Sequence, residues 1–250
     1  AYASYGKGFE TPTFTEMAYN TDPSKSGMNF TLKPASSDNY ELGLKSQNSF
    51  GLFTFAVFQT DTKNDIVTAG TRDGRATFRN ADQTTRQGLE LSWQQMIWKE
   101  LNIQSSFSYI DAEFDSYTAE IANPKDSTKP YAKAINKGNK IPGVAKNQAF
   151  TRIAWQPEQG FQAGLEARYM DKIYVDDINS DTAPSYTVMA ANVGYLWVNR
   201  DWKVNSYARV DNLFDRNYVG SVIVNDGNSR FFEPADGRNF SVGMSVTKAF

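Results

Sequence analysis

The 250-residue chain contains no cysteine and no histidine. Without cysteine it has no disulfides and no thiolate metal sites. Without histidine it has no Ser-His-Asp triad, no HExxH zinc site and no imidazole base near neutral pH. An enzyme made from it would have to work with carboxylates, Tyr or Lys alone, so no enzymatic activity is expected. No run approaches the roughly 18 apolar residues of a membrane-spanning helix, and the mean hydropathy is −0.55. A cationic excess is also missing: 26 Lys and Arg face 28 Asp and Glu, a net charge of −2. The footprint of a nucleic-acid-binding protein is therefore absent. Such figures ordinarily describe a soluble protein. They fail for one class, because the strands of a membrane barrel alternate and average out as polar.

What the chain does have is aromatic-rich alternation, with 13 Tyr, 17 Phe and 5 Trp. In the final stretch, Phe240, Val242, Met244, Val246 and Phe250 share one parity, and Ser241, Gly243, Ser245, Thr247 and Ala249 the other. Successive side chains of a strand point to opposite faces, so this is a two-faced strand. A soluble sheet would turn its apolar face inward, and a membrane barrel would turn it out to lipid.

The same pattern recurs about ten times, over Tyr2–Gly8, Asn39–Gln47, Gly51–Val67, Thr84–Gln95, Leu101–Phe114, Val144–Gln156, Phe161–Val175, Tyr186–Trp197, Trp202–Phe214 and Phe240–Phe250. Most of these match or exceed the roughly 9–11 residues that cross a bilayer at a tilt, where soluble strands average about 5–6. Connections alternate in length. Those near Asn48, Trp98, Pro157 and Asn199 are tight, and those starting near Phe9, Thr68, Asp115, Asp176 and Asp215 are long. Trp93, Trp98, Trp155, Trp197 and Trp202 gather at the tight-turn ends, as an interfacial belt does. These regularities predict an all-β, antiparallel transmembrane β-barrel with short periplasmic turns and long extracellular loops. Glu41, Lys45, Glu90, Gln104, Arg152, Glu166, Arg168, Lys203, Arg209 and Asp211 then fall on the lumen face.

Several local motifs support a more specific reading. Tyr5-Gly6-Lys7-Gly8-Phe9-Glu10-Thr11-Pro12 with Glu16, Asn39-Tyr40-Glu41-Leu42-Gly43-Leu44-Lys45, Phe78-Arg79-Asn80 with Gly88-Leu89-Glu90, Asp211-Asn212-Leu213-Phe214-Asp215 with Tyr218, and Gly237-Arg238 before an aromatic-terminated strand occur in that order. The set resembles the barrel of TonB-dependent outer-membrane receptors. Asp236 departs from the Pro often found before Gly-Arg there, which puts the shape of the last loop in question.

The resemblance implies about ten C-terminal strands of a 22-strand barrel over residues 1–250, with the N-terminal plug outside this chain. It implies TonB-dependent uptake of a scarce ligand across the bacterial outer membrane, most commonly a ferric siderophore. Related ligands are cobalamin, haem and quinone cofactors, and Tyr218–Arg238 resembles receptors for pyrroloquinoline quinone. The implied partners are outer-membrane lipid, the TonB complex reached through the plug, a small-molecule chelate or cofactor ligand, and the barrel-assembly machinery at Phe250. No resident cofactor and no resident metal are implied. A passive porin or autotransporter-type barrel is the alternative function.

Ligand contacts are expected in the long loops and upper lumen. Arg72, Arg75 and Arg79 would meet an anionic chelate, while Phe78, Tyr117, Tyr131, Tyr174, Phe231 and Phe232 would stack on it. Arg230, beside two aromatics, would supply a cation–π or carboxylate contact. Asp176, Asp177 and Asp181 read as a solvated acidic loop in preference to a calcium loop.

Overall fold

Alternation sustained over long segments, with tight turns between them, leaves antiparallel pairing of neighbours as the simplest way to satisfy the backbone. The computed structural model describes residues 1–21, 27–72, 74–123, 126–135 and 137–248, with the backbone alone described at 72 and over 120–134. Its strands are β1 (Tyr2–Glu10), β2 (Ala35–Asn48), β3 (Gly51–Arg72), β4 (Arg75–Trp98), β5 (Leu101–Asn123), β6 (Asp126–Ile135), β7 (Asn147–Trp155) and β8 (Gly160–Met170). They continue with β9 (Ile173–Tyr174), β10 (Thr182–Ala183), β11 (Tyr186–Asn199), β12 (Trp202–Asp211), β13 (Val219–Val222), β14 (Phe232–Pro234) and β15 (Asn239–Lys248). Ten of them pair in the order β1-β2-β3-β4-β5-β7-β8-β11-β12-β15, and β6 pairs with β5 off this path. Every pairing is antiparallel. One short helix, α1 (Phe14–Met17), is closed by a Thr13/Glu16 capping box.

The register places apolar residues opposite apolar residues across the sheet. Leu44 pairs with Phe55, Phe55 with Leu91, and Leu91 with Phe107. A second row runs Ile103, Ile153, Leu165, Ala191, Val210, Phe240. A one-residue slip anywhere would exchange the faces of that strand. On β15, Phe240, Val242, Met244 and Val246 are 75, 82, 71 and 52% exposed, so this face does not turn into a dry interior. All five Trp lie on it at the tight-turn end. A bulge between Met96 and Trp98 turns Trp98 onto this face opposite Leu101, where its ring lies 6.0 Å from that of Trp155. The Trp93 indole donates to Phe50 O at 2.8 Å, pinning the β2–β3 turn.

The opposite face is made of small and polar residues, and three of its glycines have a specific use. Gly43 pairs with Tyr2, Gly88 with Phe58, and Gly243 with Tyr207. In each case the partner's ring lies over the glycine. A Cβ on Gly243 would stand 2.6 Å from the Tyr207 ring, and one on Gly88 would stand 2.9 Å from the Phe58 ring. These glycines therefore let an aromatic side chain lie flat against the sheet.

The apolar band ends sharply. On β5 the apolar face carries Leu101, Ile103, Phe107 and Tyr109, and the same parity then becomes Asp111, Glu113 and Asp115. Leu101 to Tyr109 spans roughly 27 Å along the strand, or about 20 Å of height at a tilt of ~45°, close to the ~25 Å band of outer-membrane barrels. Above that line the other face is buried: Ala112 and Phe114, and, past a bulge at Asp115 that shifts the parity by one, Tyr117 and Ala119 join Ala81, Ile135 and Ile141 in one core.

Two loops expected from the sequence are strands. The loop placed at Thr68–Ala76 is the upper part of a hairpin, in which β3 and β4 stay paired to Arg72 and Arg75 with an irregularity between Thr68 and Gly70. The loop starting at Asp115 is paired as well, β5 running to Asn123 against β6. Gly70, Gly74 and the many Asn and Lys residues read as loop, but pairing continues through these segments and a small buried core stabilises the extension. Phe250 lies outside the described residues.

The face assignment gives a direct comparison. In the full-length protein, Val242→Arg is expected to lower stability by about 2–4 kcal/mol, while Ser241→Arg on the polar face changes it by less than ~0.5 kcal/mol. Reversible unfolding from bilayers measures both, and equal losses would contradict the assignment.

Candidate ligand site on the polar face and outer loops

Midway up the polar face, neighbouring strands bring charges level with one another. The Arg209 guanidinium donates to both carboxylate oxygens of Glu166, at 3.1 and 2.8 Å, and its Nε donates to Asp211 at 2.9 Å. Arg152 approaches the same Glu166 at 3.5 Å. This two-toothed geometry fixes the guanidinium plane. Arg168, two residues above Glu166, makes no ion pair among the described residues. It projects into a cleft of about 420 Å³ between the sheet and residues 212–239, lined also by Tyr218, Pro234 and Asp236. Tyr218 stacks on Tyr186 at 4.3 Å.

The segment over this cleft is anchored by the Asn212–Asp215 turn. Asn212 and Asp215 both adopt positive φ, at 50° and 52°. The Asn212 amide donates to Arg216 O (2.8 Å) and Asp236 O (3.3 Å), and Asp215 accepts from Arg238 N at 2.9 Å. Position 236 enters this clamp through its carbonyl.

At the long-loop end the residues expected to contact ligand separate into groups. Tyr117 is buried and the Arg79 guanidinium lies over its ring at 5.8 Å, donating also to Ala69 O at 2.8 Å. These two are parts of the outer core. Phe78 is half-buried beside them, its carbonyl accepting from Asn29. Arg75 is exposed and stacks on Tyr19 at 4.7 Å. Tyr174 borders a separate cleft with Lys140, Lys146, Lys172, Asp111 and Asp171, and Lys172 sits over its ring. Arg230 is exposed, and Phe231 and Phe232 meet edge to face at 6.4 Å. The side chains of Arg72 and Tyr131 lie outside the described residues. Among the described residues, these positions fall into separate groups, with Tyr174 bordering its own cleft.

The acidic segment differs from its expected solvated state. Asp177 is 3% exposed. Its carboxylate accepts from Asn225 Nδ2 at 3.0 Å and its N–H donates to Asn225 Oδ1 at 3.1 Å. Burial pushes its pKa above the usual carboxylate value, against the opposing pull of Asn225 and of the nearby Arg79 charge. Burial likewise raises Tyr117. Asp176 and Asp181 cap nearby backbone N–H groups of Ser180 and Thr182, and among the described residues no group of three acidic side chains is placed to hold a metal ion. Nothing in the local sequence singled out Asn225. Its role appears only when segments far apart in the chain meet.

A family model described as "TonB dependent receptor-like, beta-barrel" matches residues 1–213. The chain is 26% identical over 214 residues to the probable TonB-dependent siderophore receptor PiuA of Acinetobacter baumannii, covering 84% of this chain and 27% of that protein. It is 28% identical over 196 residues to the ferrioxamine receptor of Yersinia enterocolitica, covering 76% and 25%. It is also 26% identical over 229 residues to the ferrichrome outer membrane transporter/phage receptor of Escherichia coli, covering 88% and 27%. The chain thus spans about a quarter of the length of the curated relatives it matches. Its fold is similar to the crystal structure of PiuA, with a TM-score of 0.76 at 23% identity over 99% of this chain and 33% of that one. It is also similar to the copper transporter OprC, with a TM-score of 0.70 at 17% identity over 99% and 36%.

The raised Asp177 pKa sets the sign of a pH effect. A carboxyl whose pKa rises on folding favours the folded form when protonated, so the outer cluster loses stability as pH climbs from the unfolded value of about 3.9 through the raised one. Hydrogen-exchange protection of residues 173–182 in the full-length protein is expected to fall over that range, and Asp177→Asn to flatten the dependence. Asp177→Ala, which removes one of the two acceptors of the Asn225 amide, is expected to cost about 1–3 kcal/mol locally. A wild-type protection factor independent of pH would contradict this account.

Proposed function

This chain belongs to the TonB-dependent receptor-like β-barrel family, and we propose that it forms ten strands of the wall of an active uptake receptor for a ferric siderophore. As a barrel of this family it lies in the bacterial outer membrane, its apolar parity toward lipid and its polar parity toward the lumen. The rest of the longer protein supplies the remaining strands and a plug that engages TonB. The barrel-assembly machinery is a further partner of this wall, with Phe250 as the residue it would read.

The observation that carries the reading is the match over residues 1–213 together with the names its relatives bear, a siderophore receptor, a ferrioxamine receptor and a ferrichrome transporter. The geometry is compatible with it. Arg152, Glu166, Arg209 and Asp211 midway up the wall are paired with one another, leaving Arg168 in the cleft, and in the outer segments Arg75 with Tyr19 and Arg230 beside Phe231 and Phe232 present cations near aromatic rings. Arg79 and Tyr117, by contrast, hold the outer core together.

Cells carrying the full-length gene are expected to accumulate labelled iron from a ferric hydroxamate or catecholate under iron limitation, and to stop when TonB is removed. Uptake that persists without TonB would identify a passive pore instead. Competition by cobalamin, haem or pyrroloquinoline quinone with no effect of ferric chelates would reassign the ligand.

A further inference from the structure

The longest excursion from the sheet, residues 212–238, is fastened in two different ways. At its root the Asn212–Asp215 turn grips Asp236 and Arg238 between the ends of β12 and β15, through main-chain and side-chain bonds at 2.8–3.3 Å and an Asp215–Arg238 ion pair at 3.5 Å. From there the segment rises as a two-stranded arm, β13 against β14, extended by Ala235 N to Tyr218 O at 3.0 Å. Its tip docks on distant chain with Val224 and Gly227 packed close to it and with Asn225 supplying the hydrogen bonds. Asn225 donates its N–H to Val175 O (3.0 Å), and its amide donates to Thr68 O (2.8 Å) and Asp177 Oδ1 (3.0 Å) while accepting from Asp177 N (3.1 Å).

Local geometry is shaped for that docking. Asn225 itself sits at φ 55°. A Cβ on Gly70 would stand 2.9 Å from Asn225 O, and one on Gly143 would stand 3.1 Å from the Val224 side chain. Gly70 also has φ 151°, so this close approach of tip to hairpin depends on glycine. The receiving surface is dry, with Val175 fully buried and Asp177 3% exposed. No ion pair joins the tip to this surface among the described residues.

We propose that Asn225 is a latch: it holds the strap of residues 212–238 closed over the polar-face cleft, and the strap swings about its root when that one residue lets go. The root cannot serve as the opening point, because its bonds lie at the ends of two paired strands. The arm moves as a unit because β13 and β14 are paired. Release uncovers the cleft that holds Arg168 and the Glu166–Arg209 pair on its floor and Tyr218 on its roof. The link to ligand passage rests on the uptake function proposed above, whereas the latch itself does not.

The test uses the full-length receptor. In Asn225→Ala, hydrogen-exchange protection of residues 219–233 is expected to fall about tenfold or more while β12 and β15 keep theirs. Asn225→Asp, which sets two carboxylates together, is expected to do the same, and adding Asp177→Asn to restore part of the protection by reversing donor and acceptor. A Cβ on Gly227 would lie 3.4 Å from Thr71 O, so Thr71→Cys with Gly227→Cys places a cross-link at the tip in a chain segment with no other cysteine. Oxidised, this variant is expected to slow iron uptake about tenfold, with reductant restoring it. Unchanged protection in Asn225→Ala would overturn the latch, as would loosening that spreads through β12 and β15. Wild-type uptake by the cross-linked receptor would overturn the swing. Absence of uptake in the unmodified receptor would instead overturn the transport function and leave the exchange result standing.

Discussion

The structure depends on the requirement that backbone N–H and C=O groups be paired where water is absent. In hydrocarbon an unpaired group costs several kcal/mol, so a spanning chain takes helices or a closed sheet. This chain has no helix long enough to span among its described residues; it has ten strands joined edge to edge. Once pairing is imposed, the two-residue side-chain period decides the rest. Register carries Ile103, Ile153, Leu165, Ala191, Val210 and Phe240 across six strands on one face, and Gln104, Arg152 and Glu166 side by side on the other.

The same chain meets a second solvent above the aromatic line. Tyr5 and Tyr40, 5.2 Å apart, and Tyr109 under Lys146 mark the change. Beyond them the outward parity carries charge, and Lys140 bonds Asp111 at 2.6 Å and Glu113 at 3.0 Å. The inward face, small and polar below, becomes the dry side around Phe114 and, past the bulge at Asp115, Tyr117. A single strand thus obeys membrane rules over its lower half and soluble rules over its upper half. The inversion is accommodated by single-residue irregularities, at Asp115 on β5 and between Thr68 and Gly70 on β3, beyond which the ladder resumes, so the outer hairpins continue the barrel strands.

This inversion also explains what was legible in the sequence. Ten strands, their neighbours, the tight turns and the apolar parity could be read, because each follows from local alternation and from turn residues such as Gly51 and Gly160, which have φ of 98° and 106°. The upper extents of β3, β4 and β5 could not. There the alternation changes partner from lipid to protein, and Gly70 and Asp115 read as loop. Arg79 and Tyr117 read as ligand contacts by chemistry alone, a cation and an aromatic ring in an outer segment, whereas in the structure the guanidinium lies over the buried ring. Asp177 failed the other way, since three Asp residues within six positions read as solvated unless Asn225, 48 residues on, is known to cover one of them.

The contrast between the two ends of residues 212–238 shows how such information is distributed. The root is a local motif: Asn212, Asp215, Gly237 and Arg238 act within one turn and its return strand, and their positive φ angles and short-range bonds leave a recognisable spacing in the sequence. The tip is a meeting of four segments, and its one essential residue is an Asn among other loop Asn residues. Stability at the root follows from the ladder on either side and persists as long as the barrel does. At the tip, stability rests on a few bonds to neutral groups and on one carboxyl held above its usual pKa, so it responds to small changes that the wall does not feel. A wall of strands paired edge to edge has little freedom to move; the freedom in this chain lies where single side chains bridge segments that the ladder does not join.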